Sequence, residues 1–307
     1  MRVAYCLVGI VGSSNFGMGL GKDIDYRIAH YWNKKNIFDI NDEVDVFLHS
    51  WSVKHEMGLV DTYKPKKYLF EKQIDFNQET IRDNCIASRW YSTAICNNLR
   101  KSYEKEMSIK YDAVMFFRYD HVFLVPLNFS DFDMDYIWMR HGNPIGRIDG
   151  VRQQDNLNNG IDTTVVVELN TIEKRRNHSL VNDRVYDSFI FSKPENIDVY
   201  ANVYNYYVST GTKINSPHSE VVEQFKRENL YENLDFCFFG ETDTEAVRAL
   251  YKNPQMIDDE FDLNNFEWFE DKYVRQNPNV INRFKYDPNN NENLDVDNVN
   301  FKTKIVQ

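Results

Sequence analysis

Several things are missing from this chain, and each absence narrows what it does. There is no basic excess: 36 Lys and Arg stand against 47 Asp and Glu, a net charge of −11. That balance argues against a nucleic-acid backbone as the main partner. The four cysteines, Cys6, Cys85, Cys96 and Cys237, are scattered, with no Cys-x-x-Cys and no Cys/His pair at zinc spacing. They read as buried, reduced thiols. No apolar run reaches the ~18 residues of a membrane span. The stretch Val3 to Val11, behind the single basic residue Arg2, reads as a first strand rather than a signal peptide. A soluble, cytoplasmic protein is expected. Neither a Pro/Gly linker nor an internal repeat divides the chain, which favours one catalytic-size domain.

What is present is apolar enough to fold. Hydrophobic residues at 42% and aromatics at 15% over 307 residues exclude general disorder and allow a sizeable core. Strand-like runs recur at Val3 to Ile10, Val44 to His49, Ala113 to Phe117, Tyr136 to Met139, Thr163 to Glu168, Ser188 to Phe191 and Leu234 to Phe239. Helical patterns lie between several of them. Asp23 is an N-cap candidate for Ile24 to Lys35, and the apolar or small residues Ile81, Cys85, Ser88, Ser92, Ile95, Leu99 and Tyr103 make one face of a long helix from Glu79 to about Met107. Pro194 and Pro217 stand at permitted first-turn positions of two further helices, Ile197 to Val208 and Val221 to Asn229. This alternation predicts an α/β architecture. Beyond Asp258 the composition turns to Asp, Asn and Glu with scattered aromatics, so residues 256–307 read as an acidic, Asn-rich C-terminal extension of a domain spanning 1–255.

The most informative stretch runs from Tyr111 to Phe123. Its core, Ala113 to Phe117, lacks polar alternation, as does a strand covered on both faces, yet it ends in Arg118, Asp120 and His121. In such sheets ligands sit beyond the carboxyl ends of the strands. An Asp there can hold a cation through oxygen, and an Arg can grip a phosphate or orient the carboxylate. The plainer alternative is that Arg118 and Asp120 pair with each other.

The loop after the first strand, Gly9 to Asp23, is rich in glycine but matches neither familiar phosphate-binding pattern. A P-loop needs Gly at position 16 and Ser or Thr after Lys22, where Phe16 and Asp23 stand; a dinucleotide fingerprint needs a different glycine spacing than Gly9 and Gly12 provide. What remains is a loop whose amides, from Gly9, Gly12 and Ser13 onward, approach a pyrophosphate or ribose ahead of a helix, or a turn without a ligand. The second strand ends in His49, Ser50 and Trp51, with no acidic residue to hold a ribose. Trp51 is a stacking surface or part of the core.

Taken together, the Gly turn, Asp45-Val-Phe-Leu-His-Ser-Trp51, Asn97-Asn-Leu99 and Tyr103-Glu104 on the long helix, Arg118-x-Asp120, Asp187-Ser-Phe-Ile-Phe and Ser216-Pro-His218-Ser-Glu220 resemble the glycosyltransferases of bacterial surface-polysaccharide loci and of large viruses and phages. Those are similar to GT-A fold enzymes, and the resemblance covers roughly residues 1–250. It implies a Rossmann-like, mixed and mostly parallel sheet flanked by helices, and transfer of a sugar from a nucleotide donor to a glycan, lipid-linked or other hydroxyl acceptor in polysaccharide biosynthesis.

Position by position, the resemblance places Asp120 where the family's Asp-x-Asp motif has its metal- and sugar-contacting carboxylate, and Arg118 where the first Asp of that motif stands. The cofactor implied is Mn²⁺ or Mg²⁺, with His218 as a further ligand, a contact to the diphosphate, or an ordinary exposed first-turn residue. Arg118 is a direct source of positive charge for the leaving diphosphate. Gly9, Gly12, Ser13, His49 and Trp51 then belong with Arg118 and Asp120 to the donor site. Asp187 is the first candidate for the general base and Glu220 the second; a cap or a sugar-hydroxyl acceptor is the alternative for each. Two other functions compete: a Rossmann-like methyltransferase or other nucleotide-cofactor transferase, and a catalytically inert carbohydrate-binding module.

Overall fold

The computed structural model describes residues 1–11, 24–141, 172–180, 185–211, 216–239 and 244–247. Gly12, Ser13, the Thr163 to Glu168 run, the extension 256–307 and its boundary lie outside these residues.

Seven strands form one sheet: β1 (Arg2–Gly9), β2 (Glu43–Ser50), β3 (Lys67–Phe70), β4 (Ala113–Arg118), β6 (Ile137–His141), β7 (Tyr186–Ser192) and β8 (Leu234–Phe239), in the order β3-β2-β1-β4-β7-β6-β8. Every pairing is parallel except those of β7 with β4 and β6, so β7 alone runs backwards. A second, two-stranded sheet joins β5 (His121–Phe123) to β9 (Thr244–Ala246). This is the mixed, mostly parallel sheet flanked by helices expected of a GT-A-like chain.

The unalternating run of β4 has a simple cause. Ala113, Met115 and Phe117 enter one core with Val3, Tyr5 and Leu7, whereas Val114 and Phe116 enter a second with Ala4, Cys6 and Val8. Both faces of the central strands are therefore apolar. The first core is covered by α1 (Tyr26–Asn33), which continues into a π-helical turn (Lys34–Phe38), and by α2 (Glu56–Tyr63). The second is covered by α3 (Ile81–Met107), α5 (Pro194–Ala201), α6 (Val203–Thr210) and α7 (Pro217–Arg227), while α4 (Ile172–Ser179) packs beside β6 and β8.

The helix starts follow local chemistry. α3 begins where the Thr80 hydroxyl accepts the Asp83 N–H at 3.1 Å. α1 begins later than Asp23 would place it, because Asp25 caps it, accepting the Arg27 N–H at 2.9 Å. The helix expected from Ile197 to Val208 is two, α5 and α6, separated at Asn202. Among the described residues no helix is long and apolar enough to cross a membrane.

Candidate active site

Register brings the sequence-flagged strand ends to one edge of the sheet. Gly9 pairs with Ser50, and Val8 with both His49 and Arg118. Gly9 itself has φ +107°, a conformation open to glycine and costly for other residues. Its carbonyl accepts the Ser50 hydroxyl at 3.0 Å and the Trp51 N–H at 3.1 Å, and its own N–H donates to Ser92 Oγ at 3.1 Å. The root of the glycine-rich loop is thus pinned by β2 and α3.

Beyond β4, Arg118 and Asp120 form a two-point ion pair: Nε donates to Oδ1 at 2.8 Å and Nη2 to Oδ2 at 2.7 Å. His121 Nδ1 adds a third contact to Oδ1 at 3.0 Å. Only 2% of the Asp120 side chain is exposed, against 30% for Arg118. Burial favours the neutral acid, but Arg118 and His121 outweigh it and hold the Asp120 carboxyl well below the usual carboxylate range. His121 is also held below its ordinary value, by burial first, with Asp120 opposing and Arg118 and Arg140 adding to the effect. The cluster therefore consists of a carboxylate, a neutral imidazole and the Arg118 guanidinium, with Arg140 near enough to act on His121 through its charge.

Two asparagines that the sequence did not flag fix this geometry. Buried Asn33 donates to the His121 carbonyl at 3.1 Å and accepts the Phe123 N–H at 3.1 Å; buried Asn36 donates to the Phe123 carbonyl at 2.6 Å. On the other side the Val247 N–H donates to the Asp120 carbonyl at 2.7 Å. The π-helical turn after α1 brings Asn36 into line with β5, and Asp120 is held at the junction.

The donor-contact expectation for His49 and Trp51 needs correction. His49 is fully buried, its Nδ1 2.6 Å from Ser92 Oγ and its Nε2 3.0 Å from Glu71 Oε1. Burial keeps the imidazole neutral against the pull of Glu71. Trp51 is 8% exposed and stacks on Tyr91, ring centroids 5.5 Å apart. Both side chains belong to the support beneath the edge. Glu71, at the end of β3, brings its carboxylate to the end of β2, where the sequence shows no acid. Burial first, with Glu71 nearby adding to it, pushes the Tyr91 phenol up to about 12.

The remaining candidates divide. Asp187 lies in β7 two residues before Phe189, the partner of Phe117, so its backbone stands at the same edge as Arg118; its side chain is outside the described residues. The His218 carbonyl accepts the Val185 N–H at 3.3 Å, tying the head of α7 to the start of β7. Glu220 lies near Tyr207 of α6, close enough to add to the rise that burial imposes on that phenol, which places it among the helices.

These donors do not fit a divalent cation. Mn²⁺ and Mg²⁺ want an oxygen-rich, net anionic shell. Among the described residues here a single carboxylate has both oxygens on Arg118 N–H groups, and Arg140 acts on His121 from nearby. Among the described residues no group of three His, Cys, Asp or Glu is gathered as metal ligands would be. The expected metal role of Asp120 with His218 is therefore set aside, and Arg118 is the more open charged group of the ion pair.

No family model matches the chain, and no curated protein matches it. Among solved structures it is similar to the apo structure of the WbbM bifunctional glycosyltransferase, at 11% identity and a TM-score of 0.36, over 77% of this chain and 38% of that one. The chain thus spans well under half of that protein's length, and a likeness this distant says nothing of activity.

Proposed function

We propose that the chain is a glycosyltransferase that moves a sugar from a nucleotide-diphosphate donor to a glycan, lipid-linked or other hydroxyl acceptor. The observation that carries this reading is the Arg118, Asp120 and His121 cluster at the carboxyl end of β4, beside the pinned root of the β1 loop. In the reaction the bond from the sugar's anomeric carbon to the diphosphate oxygen breaks and its electrons stay on the diphosphate. The acceptor oxygen forms the new bond and gives up its proton. Arg118, with Arg140 nearby, balances the charge that grows on the leaving group, and a preset charge of this kind stabilises the transition state more than the ground state. Asp120 holds the Arg118 fork in place. Asp187 takes the acceptor proton where configuration is inverted.

A nucleotide-cofactor transferase such as a methyltransferase gains one observation, the Glu71 carboxylate brought to the end of β2. Thermal-shift measurements with UDP, GDP, CMP and S-adenosylmethionine, each with and without Mn²⁺, separate the two. A nucleoside diphosphate should stabilise the chain without needing the metal, and slow hydrolysis of the matching sugar donor should follow, which an inert carbohydrate-binding module does not catalyse. Stabilisation by S-adenosylmethionine alone overturns the proposal.

A further inference from the structure

A buried hydrogen-bond chain links the loop root to an open carboxylate. The Gly9 N–H donates to Ser92 Oγ, and because the Glu71 carboxylate beyond a neutral His49 can only accept, the Ser92 hydroxyl proton goes to His49 Nδ1 at 2.6 Å. That assignment leaves the His49 proton on Nε2, facing Glu71 Oε1 at 3.0 Å. Ser92 and His49 are both fully buried, whereas 27% of the Glu71 side chain is exposed. The chain is therefore locked at its inner end and open at its outer end.

We infer that Glu71 is a nucleoside-contact residue, accepting neutral O–H or N–H donors of the bound nucleotide, and that His49 and Ser92 are positioning residues that aim it; this rests on the nucleotide-donor reading above. A carboxylate offers about four acceptor sites, and His49 takes one of them. It repels phosphate, so its ligand is the uncharged part of the molecule. The surroundings suit a flat ring: the half-buried rings of Phe76, Tyr91 and Tyr204 meet beside Glu71, with centroids 5.6 Å apart for Phe76 and Tyr91 and 5.3 Å for Tyr91 and Tyr204. The Trp51 indole N–H, buried under Tyr91, has no hydrogen-bond partner among the described residues.

The spacing agrees. Phe70 of β3 pairs with Ser50, Ser50 with Gly9, and the adjoining Val8 with Arg118. Glu71 and Arg118 are thus about three strand spacings apart, roughly 14 Å. An extended nucleoside diphosphate reaches that far, from its base or ribose to its second phosphate.

Calorimetric titration of the full chain with UDP, GDP, their 2′-deoxy forms and inorganic pyrophosphate tests this, with Glu71→Gln and Ser92→Ala as variants. Glu71→Gln keeps an acceptor for His49. It should weaken the preferred nucleoside diphosphate at least tenfold and leave pyrophosphate unchanged; Ser92→Ala should show the same selective loss, smaller in size. A loss confined to ligands bearing the 2′-hydroxyl marks the ribose as the source of the donors, and a lost base preference marks the base. Unchanged nucleotide affinity in Glu71→Gln overturns the inference and leaves the transferase reading standing. Equal losses for nucleotide and pyrophosphate also overturn it, and a wild-type chain that binds none of the nucleotides removes both readings.

Discussion

Replacing Asp120 by Asn leaves the size of the side chain and removes its charge, so it tests the ion cluster directly. The asparagine oxygen still accepts from one partner, but its NH₂ group turns a donor toward either the Arg118 fork or His121. Removing one partner of a buried ion pair costs about 3–5 kcal/mol. Arg118 is 30% exposed and recovers some hydration, so the lower end, about 3 kcal/mol, applies here. In a chain of this size that lowers the melting temperature by about 6–12 °C. Because the folded state depresses the Asp120 pKa, its contribution is complete above the ordinary carboxylate value near ~4 and is lost as the pH falls below it. The gap between wild type and Asp120→Asn should close in that acid window. A double-mutant cycle with Arg118→Gln should give a coupling of about 2 kcal/mol by urea denaturation at neutral pH. Zero coupling, or equal melting temperatures, would refute the buried ion cluster.

Two further outcomes follow from other buried groups. His30, edge-on to Tyr63 at 4.8 Å, has its pKa lowered to about 4, by burial first and then by Lys34; stability is therefore full above its unfolded value and falls on acidification, by about 2 kcal/mol between pH 7.5 and 5, and urea midpoints of His30→Phe should lack that slope. Asn33→Ala leaves the His121 carbonyl and Phe123 N–H without their partner, so it should cost about 2–4 kcal/mol and slow donor hydrolysis through the displaced Asp120, with calorimetry and a hydrolysis assay as the two readouts.

The elements that were legible in the sequence are those whose pattern is local. β4 announces itself because both of its faces are buried, and α3 because its small and apolar stripe runs the length of the helix. Pro217 after Ser216 gave the start of α7 for the same reason, since the Ser216 hydroxyl accepts the His218 N–H. β3 escaped notice: it is a four-residue edge strand with Tyr68 and Leu69 exposed, and its apolar run, Tyr68 to Phe70, is too short to mark a strand. The break at Asn202 also had no marker, there being neither glycine nor proline.

In the site, the strand-end rule found Arg118 and Asp120, and the plainer alternative, mutual pairing, is what the geometry realises. Glu71 against His49, Ser92 against His49, and Asn33 against β5 are contacts across 22, 43 and 88 or more residues. Only the fold brings such pairs together. Arg140 lies inside an ordinary strand, where nothing in its neighbours marks it.

The same ion pair separates a guanidinium mechanism from a metal mechanism. An incoming diphosphate and the Asp120 carboxylate compete for one fork, because Arg118 spends both Nε and Nη2 on Asp120. Neutralising Asp120 releases that fork, and charge-assisted bonds to an anion strengthen once a competing anion is gone. Asp120→Asn should therefore bind pyrophosphate about tenfold more tightly than wild type in metal-free buffer, while donor hydrolysis falls because the freed Arg118 is no longer held in position. If Asp120 instead worked through a bound cation, its loss would weaken pyrophosphate binding, and the weakening would appear only when Mn²⁺ or Mg²⁺ is present. Titration of both proteins with pyrophosphate, with and without Mn²⁺, reads the sign directly, and a metal-dependent weakening would transfer the leaving-group role from Arg118 to the cation.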